Sequence, residues 1–133
     1  MKRYLDIARR DLESAKIMLD SGFYNNSVRF CQQYAEKLFK HKIQTSGSGD
    51  GDVGLLHSHR IQKLANRVCQ LTGIEFSKDE LLMFSDLTSY YYDTNYPGDE
   101  YVDVDEDTAK QVYQQTVGLQ LKYERLLTEL DVK

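Results

Sequence analysis

Residues 5–38 read LDIARRDLESAKIMLDSGFYNNSVRFCQQYAEKL, and two amphipathic stripes lie in them on either side of Gly22. Leu5, Ala8, Leu12, Ala15 and Leu19 recur at alternating spacings of three and four, which lines them up along one face of a helix ending near Gly22. Asn25, Asn26 or Ser27 then offers a side-chain oxygen to open a second helix. There Val28, Cys31, Ala35 and Leu38 repeat the spacing up to about Thr45. So short a connection predicts that the two helices pack antiparallel.

The same period continues outward. Ser46 to Gly54 is glycine-rich and aperiodic and reads as a flexible loop. A third helix is expected from His57–Ser58, with Ile61, Leu64, Val68 and Leu71 inward and Gly73 stopping it. Ser77-Lys78-Asp79-Glu80 matches a capping box, which opens a fourth helix carrying Leu81, Phe84 and Tyr91 inward. Pro97 and Gly98 break the pattern between Asp93 and Asp103. Ala109, Val112, Thr116, Leu119, Tyr123, Leu126 and Leu130 then form the longest uninterrupted stripe, a long fifth helix. No segment sustains period two and no repeat is present, so the expected fold is all-α: a single domain over 1–133 built as an antiparallel bundle of about five helices.

Composition agrees with that class and excludes others. The 133 residues are 41% hydrophobic and 29% charged, with one proline, which is neither disordered nor collagenous. No apolar run reaches the roughly 20 residues of a bilayer span, and Met1-Lys2-Arg3-Tyr4-Leu5-Asp6 lacks an apolar signal core, so a cytoplasmic protein is expected. Cys31 and Cys69 fall within apolar-periodic segments and read as small buried side chains rather than a disulfide or metal pair. Residues 1–71 carry 12 basic and 7 acidic side chains, and 72–133 carry 5 and 14. That asymmetry suits an anionic ligand on the first half, association between copies, or simple complementarity within the chain.

Several stretches resemble HEPN domains. The opening Ala8-Arg9-Arg10-Asp11-Leu12-Glu13-Ser14-Ala15, the turn Gly22-Phe23-Tyr24-Asn25-Asn26-Ser27 and the run Phe30-Cys31-Gln32-Gln33-Tyr34-Ala35-Glu36-Lys37-Leu38 are similar to that family's first helical hairpin. His57-Ser58-His59-Arg60-Ile61-Gln62-Lys63-Leu64 and Tyr90-Tyr91-Tyr92-Asp93-Thr94-Asn95-Tyr96-Pro97-Gly98-Asp99 resemble its third-helix start and its tyrosine-proline loop, in the same order. The resemblance implies a bundle with a four-helix up-and-down core, often dimeric. The resemblance also implies a place in a group that includes ribonuclease toxins of toxin–antitoxin pairs, nucleotide-binding modules and small partners of nucleotidyltransferases.

Catalytic members of that family carry an arginine followed about four to six residues later by a histidine, a cation and an imidazole suited to charge stabilisation and proton transfer in RNA cleavage. Here the histidines are His41, His57 and His59, and the nearest upstream arginine to each is Arg29. The related loop commonly reads Thr-Arg-Tyr-Pro, whereas this chain has Asn95 in the arginine's place. No catalytic residue is therefore assigned, and no cofactor or metal is expected. Phosphate-loop endings, Gly-x-Ser-x-Gly and Cys-x-x-Cys are also missing from the sequence.

What remains is a polar stripe on the second helix, where Arg29, Gln33, Glu36, Lys37 and Lys40 share one face. Arg29, Lys37 and Lys40 can meet phosphates, Gln33 can donate hydrogen bonds, and Tyr92, Asn95 and Tyr96 of the neighbouring loop can complete a nucleotide or anion site by stacking and polar contact. The alternative for this stripe is a solvated helix face carrying Arg29/Gln33 and Glu36/Lys40 pairs. The tyrosines of 90–101 read either as partly buried core or as an interface, and Asp99, Glu100 and Asp103 to Asp107 as helix capping ahead of a cation site. The expected function is a non-catalytic module that dimerises and binds a nucleotide-like anion or RNA, a nucleotidyltransferase partner, or both. Rival readings are a ribonuclease using His57 or His59 with Arg60, and a purely structural protein adaptor.

Overall fold

Helix α2 (Tyr24–Ser46) runs through the middle of the molecule, packed against α1 (Tyr4–Asp20), α3 (Ile61–Thr72), α4 (Lys78–Asn95) and α5 (Glu106–Leu119). The computed structural model describes residues 3–47, 52–95 and 103–129, with the backbone alone at 93–95. Among the described residues no strand occurs, and no helix is long and apolar enough to cross a membrane. A short 3₁₀ turn, Leu55–His57, precedes α3, and α5 runs on through the π-helical segment Gln120–Glu124 into α6 (Arg125–Glu129). The five rods are those the apolar stripes predict.

The most extensive contact is the α1–α2 hairpin. Ala8, Leu12 and Ala15 of α1 meet Val28, Cys31, Ala35 and Leu38 in one buried cluster. Gly22 and Gly73 end α1 and α3 with φ of 84° and 78°, left-handed angles at which a side chain would be strained. Deeper in the core Phe39, Phe76 and Phe84 pack edge-on or tilted, with ring centroids 5.1 to 5.5 Å apart. Burial pushes the Cys31 thiol up to about 12, which leaves it an inert core group, and both cysteines are free thiols.

The capping box forms as expected: Glu80 N donates to Ser77 Oγ at 3.1 Å and Ser77 N to Glu80 Oε1 at 2.7 Å. Asp105 caps α5 by accepting from Thr108 N at 2.7 Å, the capping role expected of that acidic run. Four expectations are corrected. Helix α2 starts at Tyr24, and the three polar residues expected to open it make tertiary bonds or a local contact instead. Asn25 Oδ1 accepts from Val104 N at 2.7 Å, Ser27 Oγ donates to Ala15 O at 2.8 Å, and Asn26 accepts from Arg29. Helix α3 starts at Ile61, after His57 and His59, whose backbone follows the 3₁₀ turn and an extended link. Leu81 is exposed, and Met83, Phe84 and Leu87 are the inward residues of α4.

The fourth correction is in the last helix. Leu126, which continues the sequence stripe, is 43% exposed, while Leu127 is fully buried. The π-helical turn explains it, because one extra residue in a turn shifts every later side chain around the axis. The same turn places Tyr123 and Lys122 on Glu80, at 2.7 and 3.1 Å, and Glu124 on Tyr34 Oη and Arg9 Nε, at 3.1 and 3.4 Å. Leu130 lies outside the described residues. The glycine-rich loop lies partly outside them too, but its far end is held: Asp52 is buried and takes both Nε (2.9 Å) and Nη2 (3.3 Å) of Arg67.

Candidate functional site

The polar residues of α2 form one hydrogen-bonded chain rather than a solvated face. Lys37 donates to Gln33 Oε1 and Gln33 Nε2 to Gln32 Oε1. Gln32 Nε2 in turn donates to Glu36 Oε1 at 3.0 Å and to the His59 carbonyl at 3.2 Å. Lys40 Nζ lies 3.0 Å from Glu36 Oε2, and His59 Nδ1 lies 3.0 Å from Glu36 Oε1. Gln32, Glu36 and Lys40 are all buried, which overturns the solvated-face alternative; the Glu36/Lys40 pair exists, but inside the protein. Periodicity ranks the faces of a helix by polarity and does not say that the most polar one stays wet. Here the link that precedes α3 brings His59 down onto that face.

Burial alone would raise the Glu36 pKa, but hydrogen bonds from Gln32, the Lys40 ammonium and His59 outweigh it and hold the carboxyl below the usual glutamate range. Asp11 is the contrasting case. Its Oδ2 is buried without a hydrogen-bond partner, and Lys37 Nζ at 3.7 Å is an ion pair too long to be a hydrogen bond. Desolvation dominates there and raises the Asp11 pKa despite that cation.

Beside this chain an open groove of about 440 Å³ lies between α1, α2 and α4, lined by Met18, Asn26, Arg29, Phe30, Gln33 and Tyr91. That volume is in the range of small-molecule sites. Arg29 is braced by Asn26 one turn earlier, and Gln33 has a second amide hydrogen beyond the one given to Gln32. Phe30 and Tyr91 supply aromatic surface. Tyr91 is itself stacked on the His59 ring, centroids 4.7 Å apart and 24° between planes, with Tyr92 edge-on to it at 5.2 Å. A guanidinium, an amide donor and two rings suit an anion attached to a flat group.

Of the residues singled out from the sequence, Arg29 and Gln33 line the groove. Lys37 is largely buried between Asp11 and Gln33, and Lys40 is buried on Glu36, so both ammonium groups already face carboxylates. Tyr92 is part-exposed on α4 next to Tyr91. The side chain of Asn95 and all of Tyr96 lie outside the described residues, as do Asp99 and Glu100. Among the described residues no cluster of three or more His, Cys, Asp or Glu side chains is placed to hold a metal ion. Sequence reasoning missed Gln32, Tyr91 and the Glu36–His59 contact. The last joins residues 23 positions apart through a loop, where no local spacing signals a meeting.

A central helix α2, paired antiparallel with α1 and carrying a buried polar seam beside a groove that contains Arg29, defines an α-helical bundle. A family model of the HEPN domain matches residues 1–119, and the chain belongs to that family. No curated protein and no solved structure matches it.

Proposed function

We propose that this HEPN chain binds a nucleotide-like anion in the groove between α1, α2 and α4, works as a dimer alongside a nucleotidyltransferase, and catalyses no reaction of its own. The observation that carries the anion reading is the convergence of Arg29, Gln33 and Tyr91 on one groove. Arg29 takes the phosphate, Gln33 donates its second N–H, and Tyr91, with Tyr92 at its edge, offers aromatic surface to the base. Lys37 and Lys40 act from beneath, orienting Gln33 and holding Glu36, instead of touching the ligand. Isothermal calorimetry with ATP tests this. Arg29→Ala should weaken binding about tenfold or more, the worth of one charge-assisted hydrogen bond. No binding by the wild type, or an unchanged titration for the variant, rejects the site.

The dimer reading is supported by apolar side chains left in water: Leu121 is 80% exposed, and Leu126 and Ile17 are exposed as well. Light scattering at tens of micromolar should return twice the monomer mass, and Leu121→Glu should halve it. A monomer in the wild type counts against this part. The nucleotidyltransferase partner follows from the family resemblance and is tested by copurification with the product of an adjoining reading frame. The ribonuclease reading gains one observation, the Glu36–His59 pair, which favours His59 over His57. RNA cleavage abolished by His59→Ala with an unchanged melting curve would replace the non-catalytic reading.

A further inference from the structure

We propose that Glu36 fixes the His59 ring with its proton on Nδ1, so that Nε2 stands as a hydrogen-bond acceptor for an O–H or N–H donor on the ligand whose anion Arg29 holds. The inference rests on the anion reading above for its ligand, and on geometry alone for its histidine. A lysine can only donate and an ionised carboxylate can only accept. The run Lys37→Gln33→Gln32→Glu36 therefore has one possible direction, and neither glutamine amide can be flipped without placing donor against donor. Glu36, 2% exposed, then has nothing to offer His59 Nδ1 except acceptance, so Nδ1 carries the hydrogen.

Three contacts hold the residue in place. Its Nδ1 is on Glu36, its carbonyl is on Gln32, and its ring plane is stacked on Tyr91. A surface histidine has no need of such fixing, and it loses rotamer freedom by it. The far side of the ring is open: the side chain is 43% exposed, and Nε2 has no partner among the described residues. Tyr91 is the shared wall, with one contact to His59 and another to the groove of Arg29 and Gln33. A ligand seated there meets donors for its anion and, across Tyr91, a lone pair. The matching chemistry is a nucleoside monophosphate with a donor available beside the phosphate, from a sugar hydroxyl or an exocyclic base amine.

Nitrogen-15 imidazole spectra of the whole chain at pH 8, with His59 assigned by its loss in His59→Phe, test the tautomer. A histidine side chain free in water favours the Nε2–H form, so an Nδ1–H ring is the diagnostic result expected. Calorimetry with AMP, dAMP and IMP then identifies the donor. AMP should bind about tenfold tighter than dAMP if the 2′-hydroxyl is read, or than IMP if the amine is, and His59→Phe, which keeps the stack on Tyr91, should level the series. A His59 ring protonated at Nε2 overturns the inference whatever binds. Equal affinities for all three nucleotides, or discrimination that survives His59→Phe, overturns it too, while an Arg29→Ala loss in the same titrations would leave the anion reading standing. If none of the three binds the wild type, both fall.

Discussion

Two sides of α2 are buried to nearly the same degree by opposite chemistry. On one, Val28, Cys31, Ala35, Leu38 and Phe39 are wholly inaccessible among apolar neighbours; on the other, Gln32, Glu36 and Lys40 are at most 4% exposed. The apolar side needs only shape and volume, and each ring or methyl there gains by leaving water. The polar side needs every donor matched, because an unpaired buried charge costs several kcal/mol. What one face gains by packing, the other retains only as long as its network is intact, and a network also fixes which atom points where. That is why the groove and His59 sit beside the polar side.

Breaking the apolar side should have the largest effect. Phe39→Ala removes the ring that meets Phe76 and Phe84 and should cost about 3–5 kcal/mol, a large fraction of a typical domain's stability. Urea unfolding measures it, and a loss under about 1 kcal/mol would mean the phenylalanine cluster is not the main source of stability. Lys40→Met tests the polar side next. It strands the Glu36 carboxylate and should cost about 3 kcal/mol, and adding Glu36→Gln should recover most of that loss. A double variant as unstable as the single one would show that the seam is held by shape rather than charge.

The smallest effect has a distinctive sign. The Asp11 pKa is raised in the folded protein, so its charged form opposes folding, and the penalty grows as pH rises through the carboxylate range. Asp11→Asn should therefore be no less stable than the wild type at pH 7, with an advantage that disappears on acidification below the usual aspartate range. Glu36, held below its usual value, runs the other way: its contribution is present at neutral pH and is lost as pH falls through its folded pKa. Denaturant midpoints for the Asp11→Asn variant at pH 3 and pH 7 decide the first point, and a larger advantage at the acidic end contradicts it.

Much of the fold was legible in the residues because helix periodicity is local. The stripe of α1, the Ser77/Glu80 box and the Gly73 stop each depend on neighbours within a turn or two and are legible in the sequence, as is a capping role for the acidic run before α5, within which the structure singles out Asp105. The last stripe was read one residue out of phase beyond Tyr123, where the π turn coincides with the tertiary pairing of Glu80 with Tyr123 and of Glu124 with Tyr34 and no sequence motif marks it. The lining of the candidate groove was legible only in part. Arg29 and Gln33 were picked out by sharing a helix face, but the same argument placed Lys37 and Lys40 on an open surface where the structure has them paired and buried or nearly so.

The sequence by itself determined the class: five apolar stripes of helical period and the motifs of a HEPN domain, matched over residues 1–119. Those are properties of residues a few positions apart, which the chain carries before it folds. Only the tertiary structure decided that the polar face of α2 is an interior seam and that His59 is clamped to Glu36 and Tyr91. Whether a polar group meets water or a partner depends on what covers it, and here the cover comes from a loop more than 20 residues away.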